Sequence, residues 1–176
     1  MIYYTSDLHF GHNNIIKYCN RPYVDIYDMH KHLIQNWNNK VKDNDDVYIL
    51  GDFAFQNSNV SIFTIQDILR SLKGKKHLIV GNHDQWVNKQ QFNPRYFESI
   101  DYYKEIKDGG KDIILCHYPI ESWNGMEYGS IHLHGHLHDI PTKLDLPNRY
   151  NVGCDNWNYE PVSLREILNK NSLLGV

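Results

Sequence analysis

The sequence predicts an α/β fold, parallel in its first half and antiparallel or mixed in its second. Two patterns predict it. Up to about residue 98, short apolar segments alternate with segments of helical period, and each apolar segment stops at a polar or glycine-containing loop; that alternation argues for parallel strands joined by right-handed crossovers. Beyond that point the strand-like segments are shorter and follow one another without helices between them.

The elements follow in order. Ile2 to Ser6 is apolar and aromatic and ends at the polar loop Asp7 to Asn14. Tyr27 to Lys40 puts Met29, Leu33, Ile34 and Trp37 on one helical face, with Asp28 favourably placed near the positive end of the helix dipole. Asp43 to Asp46 makes a turn, and Val47 to Leu50 is a strand apolar on both faces that ends at Gly51-Asp52. Ser61 to Leu72 has helical spacing at Ile62, Phe63, Ile65, Ile68, Leu69 and Leu72, closed by Lys73-Gly74. His77 to Val80 is the next strand and ends at Gly81-Asn82-His83-Asp84, while Trp86 to Arg95 has no readable period. Tyr102 to Ile106, Asp112 to Cys116, Ser130 to His134 and Arg149 to Val152 read as short strands, with a Gly109-Gly110 turn between the first two. Ser163 with Glu166 three residues on is a capping box that starts a closing helix, Ser163 to Asn169.

At 176 residues the chain fits one domain, 1–176, with no internal repeat or linker. Its apolar runs span only a few residues, far short of the roughly 20 a membrane helix needs. Met1-Ile2-Tyr3-Tyr4 leads into a strand with no basic region or cleavage site before it, so the expected location is the cytoplasm. Cys19, Cys116 and Cys154 are too few and too widely spaced for a disulfide framework or a zinc knuckle. A net charge of −3 and a pI near 6.4 argue against broad electrostatic capture of nucleic acid. Lys73, Lys75 and Lys76 form the one compact basic cluster and read as a solvated helix end. The 11 histidines are the anomaly, and their clustering near Asp and Gly points to metal.

Five strand ends carry potential ligands: Asp7-Leu8-His9, Gly51-Asp52, Gly81-Asn82-His83-Asp84, His117 and Gly135-His136-Leu137-His138. In an open sheet the loops leaving strand C-termini share one edge, so these residues can converge. Asp7 and His9 stand two apart, as do His136 and His138, and in extended backbone such pairs project to the same side. Glycine at 51, 81 and 135 permits tight turns and close approach. Asp, His and Asn without Cys suit Mn, Fe, Zn or Mg. Register alone leaves open which of the alternating histidines 132, 134, 136 and 138 are ligands.

These blocks, DxH, GDx, GNHD, a lone His and GHxH in that order over residues 7 to 138, resemble the calcineurin-like metallophosphoesterases, and more particularly the small phosphoesterases of phage and bacterial genomes. The resemblance implies a four-layer α/β sandwich of two mixed sheets flanked by helices. It implies two divalent ions (Mn, Fe, Zn, Ni or Mg), one held by Asp7, His9, Asp52 and His138, the other by Asp52, Asn82, His117 and His136, with Asp52 bridging. A water or hydroxide between the ions would attack phosphorus. His83 would contact the phosphate or protonate the leaving group, with Asp84 orienting its ring. His134 and His132 then become second-layer or surface groups, and His30, His32 and His77 match no motif.

After Gly51-Asp52 the chain reads Phe53-Ala54-Phe55, where many members continue to an acidic residue or arginine. Arg21 offers a replacement phosphate contact, its equal alternative being a solvated loop arginine. His12, in the loop of Asp7 and His9, is a further candidate substrate contact. The expected activity is hydrolysis of a phosphate ester, a phosphodiester or nucleotide-like substrate favoured because there is little length for an elaborate cap. The rival is a non-catalytic metal-binding scaffold of the same fold that binds a protein partner.

Overall fold

A computed structural model describes residues 1–56, 61–141 and 144–173. Among these described residues, eight strands form two four-stranded sheets. β1 (Ile2–Thr5), β2 (Asp46–Ile49), β3 (Lys75–Ile79) and β4 (Ser99–Asp101) lie side by side in that order, all parallel. β5 (Tyr103–Asp108) runs antiparallel to β6 (Lys111–Cys116), which pairs in parallel with β7 (Ile131–His134) and through it with β8 (Arg149–Asn151). The second sheet is therefore the mixed one. The helices are a single turn α1 (Ile15–Tyr18), α2 (Ile26–Lys40), α3 (Ile62–Ser71) and α4 (Leu164–Leu173). None is long and apolar enough to cross a membrane.

The pleat divides the first sheet between two cores. Tyr3, Val47 and Leu78 pack with Met29, Leu33 and Trp37 of α2 and with Ile62, Ile65 and Leu69 of α3. Tyr4, Tyr48 and Ile79, their neighbours in sequence, face the second sheet and meet Ile113, Leu115, Ile131 and Leu133. Both faces are buried, which is why these strands are apolar throughout rather than alternating. The Asp25 carboxylate caps α2 by accepting from the Tyr27 and Asp28 N–H groups, and Ser61 caps α3 by accepting from Thr64 N–H. The Phe63 side chain lies outside the described residues.

Two segments depart from expectation. The strand expected over 102–106 is Tyr103–Asp108, which opens the second sheet, but ahead of it lies a strand the sequence did not announce, Ser99–Asp101, which completes the first sheet, with exposed Tyr102 at the crossing. The burial of β5 alternates residue by residue, as an edge strand's does, and a sequence pattern cannot show a change of sheet. The unreadable stretch from Trp86 holds two short 3₁₀ turns, Gln85–Asn88 and Pro94–Tyr96, folded over buried Trp86 and Phe92. Local hydrogen bonds such as Arg95 N–H to Asn93 Oδ1 (3.1 Å) shape them, and these leave no period.

Candidate metal centre

β1, β2, β3, β6 and β7 all end on one edge, and the residues just beyond them carry the candidate ligands. Pleat alternation does not bring Asp7 to His9, or His136 to His138, as extended backbone would. β1 stops at Thr5 and β7 at His134, and all four residues, like Asp52, have φ between 52° and 72°. Of the nine non-glycine residues with positive φ among those described, five are candidate ligands. Each such residue costs on the order of 1 kcal/mol, so the edge stores backbone strain that neighbouring structure has to hold. It is held by pairing between loops: Asp7 N–H donates to Gly51 O (3.0 Å), His9 N–H to Asp52 O (2.9 Å) and Phe10 N–H to Phe53 O (2.9 Å). Two glycines allow the approach. A Cβ on Gly51, itself at φ +87°, would strike the His117 ring, and one on Gly135 would strike the Ser6 side chain and the Asp7 carboxylate.

Ligand atoms of Asp7, His9 and His138 lie within 4.8 Å of one another, and so do those of Asp52, His117 and His136. Asp52 stands between the groups, with Oδ2 3.6 Å from His9 Nε2 and Oδ1 3.6 Å from His117 Nε2. Asn82 Oδ1 lies 3.1 Å from His117 Nε2. His83 Nε2 sits at the mouth, 3.9 Å from Asp52 Oδ2.

The donors fit a cation. His117 Nδ1–H donates to Leu50 O (2.7 Å), which leaves Nε2 as a lone pair facing oxygen lone pairs of Asn82 and Asp52. His138 Nδ1–H is engaged by Asp155 Oδ2 (2.8 Å), and only Nε2 remains free to ligate. His9 is 1% exposed, and neither ring nitrogen has a hydrogen-bond partner among the described residues. Orphaned buried nitrogens of this kind are costly unless a proton or metal meets them. Burial pushes the Asp7 carboxyl up to about 7 and the His9 imidazole well below its ordinary value. Burial is the largest influence on His138 and opposes its charge, but the hydrogen bonds to Asp155 and Cys19 together with the nearby Asp7 carboxylate outweigh it and raise the ring to about 10. Nitrogen and oxygen donors with two fixed tautomers can hold a borderline or hard divalent ion.

Several candidates lie elsewhere than expected. Arg21 is neither a phosphate contact nor a solvated loop arginine. Its side chain is fully buried, with Nε and Nη2 paired to Asp155 (2.8 and 2.9 Å) and further N–H donation to Leu8 O, Asp7 O and the sulfurs of Met29 and Cys154. Asp84 does not orient the His83 ring. It is fully buried and accepts from Asp52 N–H, Phe53 N–H, Gly81 N–H and Trp86 Nε1–H, so it clamps two ligand loops together. Burial pushes its carboxyl up to about 7 against those bonds. His132 and His134 are buried on the face of β7 turned away from the first sheet, with hydrogen bonds to backbone at Ile114 and Gly135. That places His134 outside the ligand groups. His30 accepts from Gly11 N–H, His77 stacks on Tyr48, and only His32 is exposed. His12 is at the rim, stacked on Phe55 (4.6 Å), with Nδ1 buried and without a hydrogen-bond partner among the described residues. Phe55 also sets its ring edge-on to His83 (5.3 Å). Sequence reasoning missed Asp155, because 17 positions separate it from His138 with no motif between.

A cleft of about 750 Å³ lined by Tyr3, Lys40, Asp108 and Glu166 lies at the opposite end of the strands and contains none of these groups. The strand edge is therefore the candidate functional site. Fold and site together define a class: an α/β sandwich that presents carboxylates and imidazoles for a divalent ion at the C-terminal edge of its strands. The family model for calcineurin-like phosphoesterases matches residues 1–160, and the chain belongs to that family. It is 37% identical over 168 residues to an uncharacterized protein of Methanocaldococcus jannaschii, covering 93% of this chain and 86% of that one. It is 29% identical to the gene 66 protein of Mycobacterium phage D29, covering 89% and 88%. The crystal structure of a protein of unknown function from Aquifex aeolicus superposes with a TM-score of 0.72 at 27% identity, covering 96% and 98%.

Proposed function

We propose that this phosphoesterase binds two divalent ions and cleaves phosphodiesters or nucleotide-like substrates. The observation that carries the reading is Asp52, whose two carboxylate oxygens face different ligand groups and can serve both. In this assignment Asp7, His9, Asp52 and His138 hold one ion; Asp52, Asn82, His117 and His136 hold the other. Such ions, when bound, acidify water and neutralise charge on phosphoryl oxygens. His83, the ligand-edge imidazole with a third of its side chain open to solvent, is placed to protonate the leaving oxygen or hold the phosphate. His12 supplies a second substrate contact from the rim. The preference for diesters rests on Arg21: its guanidinium is spent on Asp155 and backbone carbonyls, so this loop offers no fork for the second negative charge of a monoester.

The test is hydrolysis of bis-p-nitrophenyl phosphate and p-nitrophenyl phosphate by metal-stripped protein, with Mn, Ni, Zn or Mg restored singly. Metal-dependent cleavage, faster on the diester and lost in D52N, supports the reading. Faster cleavage of the monoester would overturn the diester preference, and hydrolysis that survives D52N would overturn the role of Asp52.

A further inference from the structure

Arg21 and Asp155 stand 134 positions apart, yet they form a buried, two-pronged ion pair directly behind one ligand group. Nothing in the hydrolytic chemistry uses either residue. Arg21 continues from Asp155 to the carbonyls of Asp7 (2.7 Å) and Leu8 (3.0 Å), the peptides that carry the left-handed turn between Asp7 and His9. Tyr159 covers the guanidinium, its ring centroid 5.7 Å from Cζ. Asp155 Oδ2 meets His138 Nδ1 at 2.8 Å, and the His138 carbonyl accepts from the side-chain amides of Asn151 (2.9 Å) and Asn156 (2.6 Å). Asp155 thus holds the ring of His138, while Asn151 at the end of β8 and Asn156 beyond it hold its backbone. The three ligands Asp7, His9 and His138 are tied to one another through Arg21 and Asp155; His117 is oriented separately, by Leu50 O.

We propose that Arg21 and Asp155 are positioning residues acting as one unit, which fixes the Asp7 and His9 turn and the His138 tautomer and so sets the affinity of one metal position and not the other. The chemistry is specific. A carboxylate can only accept, so it holds the proton on Nδ1 and leaves the Nε2 lone pair for a metal. An asparagine at 155 can present its NH₂ to the ring, which favours the tautomer with the proton on Nε2, where it blocks ligation. Lysine at 21 keeps the charge but loses the fork that reaches a carboxylate and two carbonyls together.

This inference rests on the two-ion reading, and the experiment separates them. Metal-stripped wild type, D155N and R21K, each checked for native circular dichroism, are titrated with Mn(II) by calorimetry, and bound ions are counted by elemental analysis. Wild type is expected to bind two ions. In D155N one site keeps its affinity and the other weakens by about ten- to a hundredfold; R21K weakens the same single site. Two ions bound by both variants with wild-type affinity would overturn the proposal, and so would equal weakening of both sites, the mark of a merely structural role. Should D155N not fold, R21K alone decides by the same criterion. Wild type that binds no Mn(II) would sink the two-ion reading itself, and the brace with it.

Discussion

The two ends of the sheets solve opposite problems. Where the strands begin, polar groups are matched within the chain: the Tyr4 hydroxyl donates to Asp108 (2.9 Å), Lys40 Nζ meets Glu166 (2.7 Å), and Ser163 and Glu166 cap α4 reciprocally. Where the strands end, carboxylates and imidazoles are gathered with lone pairs facing one another, on backbone that costs energy to hold. The first arrangement stabilises the fold by itself, whereas the second could hold a ligand and costs stability without one.

That contrast can be broken. The largest effect expected is on H83A: kcat falls about 10²- to 10⁴-fold while Mn content stays at the wild-type level, because the proposed assignment gives His83 no ion although its ring lies close to His9 and Asp52. Unchanged kcat in a steady-state assay would remove His83 from the chemistry. Next is metal itself. Adding Mn(II) at about a hundred times its dissociation constant should stabilise stripped protein by about 2.7 kcal/mol for each site filled. A melting temperature insensitive to Mn(II) would show that the strained edge is no metal site.

The contrast is sharpened by D7N in stripped protein. The folded pKa of Asp7 is raised by burial, to about 7. An acid with a raised folded pKa subtracts stability as pH climbs from its unfolded value towards the folded one, and the deficit is full above both. D7N is therefore expected to raise the melting temperature of stripped protein at pH 8 by roughly 2–4 °C, about 1 kcal/mol, and to have little effect near pH 4. A destabilised D7N at pH 8 would contradict it. At the opposite end the sign reverses. Burial would raise the Glu166 carboxyl, but its bonds to Lys40 and Ser163 hold it below the ordinary value, so its contribution is present at neutral pH and lost as pH falls through the depressed folded pKa. Removing the other half of that cap, S163A, is expected to cost about 1 kcal/mol in urea unfolding at pH 7, with no change in Mn(II) binding.

Much of this was legible in the residues. The helical spacing of Met29, Leu33 and Trp37 gave the buried face of α2, and both-face apolarity gave the parallel strands. The ligand types were visible because metal chemistry restricts them to a few side chains, placed here at strand ends with glycines beside them. The reason first given for their convergence was not the physical one: Asp7, His9, His136 and His138 meet through left-handed turns rather than through the pleat. Charge alone could not say that Arg21 faces inwards.

The sequence by itself determined local periodicity, caps, strand-end loops and the list of donors, because each depends on neighbours a few positions apart. Only the tertiary structure decided that β4 and β5 belong to different sheets, that Asp84 clamps loops, that His134 turns into the protein, and that Arg21 meets Asp155 behind His138. Those outcomes depend on which groups are desolvated together. A buried charge must find its partner wherever the fold brings one, however far along the chain that partner lies.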